Sequence, residues 1–236
     1  MAEIISGKIV SEQVKNRVKA EAEKLKEQGV NIGLAVVIVG NDPASRVYVN
    51  SKKKACEYVG FTSYEYALDE NITQQELLDL VEVLNNDRKV NGILVQLPLP
   101  KHIDENAIIN AISPEKDVDA FHPFNVGKIM IGDFAFFPCT PAGVMELIDS
   151  TGVEIAGKSC VVIGRSNIVG KPMAMLLLHR SGTVTICHSK TQNLKEICKN
   201  ADILVASVGK PNFVTADMVK EGAVVIDVGI NRLENG

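Results

Sequence analysis

The sequence predicts an α/β protein of two domains, each built on a parallel sheet. Three observations predict it. Short apolar runs alternate with helix-period segments along the chain. The clearest run, Gly33–Val39, is apolar throughout, as a strand buried on both faces must be. A second strand–helix series follows a loop-like stretch that ends near Pro138. The domain change is therefore placed there, with residues 1–138 as the first domain and 139–236 as the second.

Each element has a local reason. Val10, Val14, Val18, Ala22 and Leu25 recur at helical spacing, and Gly29 ends that helix. After the strand at 33–39, Asp42 as N-cap and Pro43 at the first position open a helix over 42–59, which Gly60 closes. Residues 63–68 alternate like a strand. Thr73-x-x-Glu76 is a capping box for a helix over 73–86. A strand over 93–97 is ended by Pro98 and Pro100. A short helix over 104–112 precedes the stretch 113–138, whose prolines, glycines and aromatics read as loop. Thr140 at an N-cap and Pro141 at the first helical position then start a helix to about residue 150. The second series has strands over 159–163, 184–187, 203–206 and 224–227. Its helices lie over 170–180, 193–199 and 215–220.

Composition narrows the function classes. The 236 residues are 46% hydrophobic and 23% charged, an ordinary globular balance. A net charge of −4 gives no reason to expect nucleic acid or an anionic membrane as partner. No apolar run reaches the roughly 18 residues of a membrane span, and the first residues lack the pattern of a secretory signal. Cys56, Cys139, Cys160, Cys187 and Cys198 are scattered, without CxxC or zinc spacing, so no metal is expected and the thiols read as reduced in the cytosol.

Strand 159–163 runs into Gly164-Arg165-Ser166-Asn167-Ile168-Val169-Gly170-Lys171-Pro172 and then a helix. A glycine turn between a strand and its helix is where a dinucleotide pyrophosphate sits, in a Rossmann-like domain. Ser166 stands at the second glycine position and Gly170 comes one residue late, so the bare pattern is weak and a structural βα turn is its lesser, alternative reading. The next strand ends in Cys187-His188-Ser189-Lys190-Thr191, with no acid to hold ribose hydroxyls. A carboxylate would repel a 2′-phosphate, whereas Arg165 and Ser189 would accept it, which favours NADP over NAD. His188 and Lys190 also fit as solvated loop residues. Ile230, after the strand at 224–227, stands either near the nicotinamide or in the core.

In the first domain, Tyr48, Ala55 and Val59 lie within about 20° of one line on helix 42–59, with Cys56 at its edge. Lys52 projects about 40° from Tyr48 on that face. A lysine there either snorkels or lines a site. Burial makes its amine easier to deprotonate and suited to carry protons, and an aromatic one turn away suits a flat heterocycle. Gln96, before the Pro-punctuated turn, and the acids of 114–119 lie beyond strand ends. Both also fit as a turn polar group and a solvated acidic loop.

Taken together, seven segments resemble the bifunctional methylenetetrahydrofolate dehydrogenase/methenyltetrahydrofolate cyclohydrolase family. They are Tyr48-Val-Asn-Ser-Lys52-Lys-Lys-Ala-Cys56, Val95-Gln-Leu-Pro-Leu-Pro100, Pro114-Glu-Lys-Asp-Val-Asp119, Pro138-Cys-Thr-Pro141, Gly164-Arg-Ser-Asn-Ile-Val-Gly-Lys-Pro172, His188-Ser-Lys-Thr191 and Asp227-Val-Gly-Ile-Asn231. They cover essentially the whole chain, in order. The resemblance implies an NADP-dependent oxidation of 5,10-methylenetetrahydrofolate and hydrolysis of the methenyl product to 10-formyltetrahydrofolate. It implies Lys52 as the main catalytic residue, with Gln96 hydrogen-bonded to it, and Tyr48, Leu97 and Pro98 lining the folate pocket. Asp119 is implied to grip the pterin's amino-pyrimidine edge. Gly164, Arg165, Ser166, Ser189 and Ile230 are implied to hold NADP, with Thr140 near the nicotinamide. A cytoplasmic homodimer, paired through the cofactor domains and supplying one-carbon units to purine biosynthesis, is implied as well. Family members continue past the position of Gly236 with a Pro- and Gly-rich loop and a final helix that helps to close the folate cleft. Among other NADP oxidoreductases, a shikimate-type or amino-acid dehydrogenase shares the domain order but gives no account of Gln96 and Asp119.

Overall fold

In a computed structural model of the chain, residues 2–229 are described. They divide into two compact units: 8–125, and 126–229 joined by residues 2–7. The sequence-based boundary at Pro138 falls inside the latter.

The unit 8–125 holds α1 (Gly7–Glu27), β1 (Gly33–Val39), α2 (Pro43–Val59), β2 (Thr62–Leu68), α3 (Gln74–Asn86), β3 (Gly92–Val95) and α4 (Glu105–Ala111). Its parallel sheet has the order β2-β1-β3. β1 is central and buried on both faces, which is why it carries no polar residue. Ala35, Val37 and Val39 face one way, into a core with Leu77, Val81 and Leu84 of α3 and Ile108 of α4. Val36 and Ile38 face the other way, against Val49 of α2. Past β3, Ile93 pairs in parallel with Asp117, and the Ile93 N–H donates to the Lys116 carbonyl at 2.7 Å. Segment 116–118 thus covers the open edge of β3.

The capping signals of this unit are all present. Asp42 accepts from the Ser45 N–H, Gly60 closes α2 in the left-handed conformation, and Thr73 and Glu76 form both halves of their capping box.

The second unit holds α6 (Cys139–Asp149), β4 (Ser159–Ile163), α7 (Gly170–His179), β5 (Thr183–Cys187), α8 (Leu194–Lys199), β6 (Ile203–Ala206) and β7 (Val224–Asp227). Its parallel sheet has the order β5-β4-β6-β7. Cys160 and Val162 face α6 and α7, where Val144, Ile148, Met173 and Leu177 complete a core. Val161 and Ile163 face α8 and Met218.

Three expectations are corrected. The stretch 113–138 is not all loop: α5 (Pro123–Ile131) lies within it, opened by Pro123. Thr140 is not an N-cap. Pro138 takes that position, its carbonyl accepts from the Ala142 N–H, and Pro141 sits in the first turn, where a missing N–H is harmless. Residues 215–220 form one 3-10 turn, Ala216–Met218, rather than an α-helix.

Candidate active site

In each sheet the strand order reverses once, between β1 and β3 and between β4 and β6. Open parallel sheets bind ligands at the carboxyl ends of strands beside such a reversal. Both clusters of sequence-predicted residues lie there, one in each unit.

In the first unit the buried line of α2 is Ser45, Val49, Cys56 and Val59. At ~100° per residue these four span about 80°, and Lys52 falls near the middle of them. The sequence-based line through Tyr48, Ala55 and Val59 is rotated from it by about 60°. Hydropathy alone misplaces it because Ser45, a polar residue, is buried, its hydroxyl donating to Asp42 Oδ2 at 2.9 Å. Tyr48 therefore sits at the border of the stripe and is 44% exposed, whereas Lys52 is half-buried at its centre.

Lys52 Nζ donates to Gln96 Oε1 at 2.9 Å. Gln96 follows β3 directly, and its backbone N–H donates to Val37 of β1. Its Nε2 donates to the Leu97 carbonyl at 2.8 Å. An ammonium has no acceptor, so this second bond turns the amide with its oxygen toward Lys52. Leu97 is half-buried and Pro98 exposed, and the peptide between them is cis.

The acidic loop separates into distinct roles. Glu115 alone is a solvated acid. Lys116 Nζ donates to the Leu84 and Asp87 carbonyls at the end of α3. Asp117 is 2% exposed and its Oδ2 accepts from the His122 N–H and from Asn125 Nδ2. Asp119 is half-buried, and its carboxylate accepts no hydrogen bond from the described residues. Burial pushes it up to about 6, Lys52 opposes the rise, and Asp117 adds to it. An unpaired carboxylate opposite an ammonium, in a partly dry setting, is an acceptor awaiting donors.

In the second unit, Gly164 follows β4 with φ +128°, and its N–H donates to the Cys187 carbonyl at 2.8 Å. A Cβ there would overlap Ser207 Oγ and crowd the Ser207 carbonyl at 2.8 Å. Ser207 follows β6 and donates its hydroxyl to the Ile163 carbonyl. Gly170 opens α7 and is packed on the turn, where a Cβ would overlap the Gly164 carbonyl. It therefore serves the close helix–strand approach that the last fingerprint glycine normally provides. Ser166 Oγ accepts from the Val169 and Gly170 N–H groups at 3.2 and 3.3 Å. Both its acceptor sites are used, and its O–H is left to donate outward.

Arg165 and Ser189 are exposed and make no side-chain hydrogen bond among the described residues. Ser189 lies in a turn closed by the His188 N–H on Thr191 Oγ1 and the Lys190 N–H on His188 Nδ1. His188 is thus built into the turn, while Lys190 is solvent-exposed. An unpaired guanidinium, an unpaired hydroxyl and a tight glycine turn at the strand reversal fit a dinucleotide carrying a 2′-phosphate. Thr140 is exposed in the first turn of α6. Ile230 lies outside the described residues.

Other chemistries find little support. The described cysteines are all free thiols, and burial raises Cys160 and Cys198 to about 11. Among the described residues, no three His, Cys, Asp or Glu side chains gather to hold a metal, and no helix is long and apolar enough to cross a membrane. Sequence reasoning missed Asp117, Asn125 and Ser207. Asp117 stood in a quoted segment without a role, and nothing local marks the other two.

Two parallel α/β units, one with a Lys–Gln–carboxylate cluster and one with a dinucleotide-type turn, define a two-domain cofactor-dependent enzyme class. Comparison with known proteins is specific. The family model described as tetrahydrofolate dehydrogenase/cyclohydrolase, catalytic domain, matches residues 5–119, and its NAD(P)-binding domain matches residues 138–236. The chain belongs to this family. It is 67% identical to the bifunctional protein FolD of Acetivibrio thermocellus over 234 residues, 99% of this chain and 82% of that one. The crystal structure of the bifunctional enzyme FolD from Campylobacter jejuni superposes with a TM-score of 0.96 at 49% identity, covering 99% and 83% of the two chains. The Trypanosoma brucei enzyme, solved with NADP cofactor and inhibitor, gives 0.93 at 39% identity, covering 98% and 80%.

Proposed function

We propose that this chain oxidises 5,10-methylenetetrahydrofolate with NADP and hydrolyses the methenyl product to 10-formyltetrahydrofolate. Family membership supports the pair of activities. The observation that carries the site is the Lys52–Gln96 hydrogen bond at a strand reversal, with Asp119 facing Lys52. Residues 1–138 serve as the folate-binding catalytic domain and 139–236 as the NADP-binding domain.

The residues divide the work by their chemistry. Asp119 accepts from the N–H donors of the pterin's amino-pyrimidine edge. Tyr48, Leu97 and Pro98 line the pocket beside Lys52. Bound NADP supplies the acceptor for the hydride that leaves the methylene carbon. Lone pairs on the flanking folate nitrogens stabilise the resulting cation, so the first step asks the protein for alignment rather than for a strong base. In the second step water attacks the cationic carbon, and Lys52 carries the proton as the ring opens. Gln96 keeps the Lys52 amine aimed during that transfer. In the other unit, the Gly164 turn and the Ser166 hydroxyl receive the pyrophosphate, Arg165 and Ser189 take the 2′-phosphate, and Thr140 serves the nicotinamide end, the role the family resemblance also gives to Ile230.

The same reading assigns a cytoplasmic homodimer that supplies formyl groups to purine biosynthesis. Pairing through the cofactor units is supported by β5, an edge strand whose Ile186 is exposed. Substituting Lys52→Met tests the assignment. Cyclohydrolase activity should vanish while NADP affinity stays within about twofold, since Lys52 lies in the other unit. Retained hydrolysis of methenyltetrahydrofolate would sink the role given to Lys52.

A further inference from the structure

The Asp119 carboxylate accepts no hydrogen bond from the described residues, yet its loop is tied by several. The ties converge on two buried polar residues outside the cluster of Lys52, Gln96 and Asp119. Asp117 is 2% exposed and Asn125 is 8% exposed. Asn125 Nδ2 donates to Asp117 Oδ2 and to the Pro114 carbonyl, both at 2.9 Å. The His122 N–H donates to the same Asp117 oxygen at 2.8 Å. His122 Nδ1 in turn accepts from the Phe124 N–H, and the Asp117 carbonyl accepts from the Ala120 N–H. Residues 114 to 125 are thus drawn around one buried carboxylate.

The backbone in this knot is bent where an L side chain resists it. Ala120, directly after Asp119, has φ +54° and is fully buried. A non-glycine residue holds that conformation only when its surroundings over-determine it. The turn at Ala120 brings the chain back so that the His122 N–H reaches Asp117. On its other side the knot is pinned to the sheet by the pairing of Asp117 with Ile93 of β3. Asp119 therefore stands on a rigid hairpin beside the strand that delivers Gln96.

We infer that Asp117 and Asn125 form a buried positioning pair that holds Asp119 in place for the substrate, an inference resting on the reading of Asp119 as the folate anchor. The pair acts in two separable ways. Asn125 fixes the loop through its two Nδ2 bonds. Asp117 adds a negative charge near Asp119, and the charged groups facing Asp119 are Lys52 on α2 and Asp117 on its own loop. Burial is the main reason that Asp119 is hard to ionise, and the Asp117 charge adds to it, raising the pH above which Asp119 accepts pterin N–H donors.

The test compares Asn125→Ala, Asp117→Asn and Asp119→Asn in the whole protein, with NADP affinity and circular dichroism as controls for folding. Asn125→Ala should raise KM for methylenetetrahydrofolate about tenfold with kcat within about threefold, since an anchor lost to ground state and transition state alike appears in KM. Asp117→Asn keeps an acceptor for Asn125 but loses the charge, so the acid limb of kcat/KM should move to lower pH, which a merely structural role would not produce. A wild-type KM in folded Asn125→Ala, with an unmoved limb in Asp117→Asn, overturns the pairing. If Asn125→Ala does not fold, the limb in Asp117→Asn decides alone. A wild-type KM in Asp119→Asn removes the anchor reading, and the pairing falls with it. A raised KM there, with the other two variants like wild type, overturns the pairing alone.

Discussion

Replacing Asp119 by Asn should separate stability from activity, because one carboxylate affects the two in opposite directions. Asp119 rises from an ordinary 3.8 to about 6, chiefly through burial. The folded protein therefore holds a proton on this group over a pH range where the unfolded chain has released it. The linked stability is fully present below 3.8, is lost as pH rises through about 6, and leaves a constant penalty above that. The interval corresponds to about 3 kcal/mol, and screening at a half-buried site brings the expected effect to about 1–3 kcal/mol. Asparagine has nearly the same shape and no charge, and no hydrogen bond from the described residues to the carboxylate is lost with it. The ligand-free variant should thus be more stable than the parent by about 1–3 kcal/mol at pH 7.5, with at most half of that gain left at pH 4.5. Urea denaturation at the two pH values, followed by circular dichroism, measures the difference. A variant less stable at pH 7.5, or a gain equal at both values, would refute the reasoning that the site holds an uncompensated charge. The same variant should bind folate poorly, the usual exchange of stability for function at a binding carboxylate.

Further outcomes follow for the cofactor unit. Gly164→Ala puts a methyl group into Ser207 at φ +128°, and should cost about 1–3 kcal/mol and weaken NADP binding, as thermal melts with and without cofactor would reveal. Arg165→Ala should weaken NADP about ten- to hundredfold, the scale of a lost hydrogen bond to a charged group, and leave NAD nearly unchanged. Equal losses for both cofactors in a fluorescence titration would place Arg165 away from the 2′-phosphate.

Much of the fold is legible because its signals are local. β1 is a run of seven apolar-compatible residues ended by Gly40, and α2 carries Asp42, Pro43 and Gly60 at its ends. Signals weaken where an element relies on distant partners. α5 begins with a proline, contains Gly127 and is capped by the His122 ring, which accepts from the Phe124 N–H, rather than by a Ser, Thr, Asp or Asn that would mark a helix start in the sequence. Thr140 was misplaced because a proline fits any position of a first turn, not only the first. The face of α2 was rotated because burial of Ser45 depends on Asp42 rather than on hydropathy. In the site, Lys52 stands out as a charge within an apolar stripe, but its bond to Gln96 spans 44 residues and has no local trace. Asp117 and Asp119 look alike in sequence. Only the loop's return to His122 and Asn125 makes one a buried tie and leaves the other an open acceptor.

The account stands or falls on catalysis by the chain itself. The most direct measurement is a spectrophotometric assay with 5,10-methylenetetrahydrofolate, run with NADP and separately with NAD, with the folate products resolved afterwards. The account predicts NADPH formation, a slower or absent reaction with NAD, and 10-formyltetrahydrofolate as the end product. Folded protein that binds NADP yet reduces neither cofactor would contradict it.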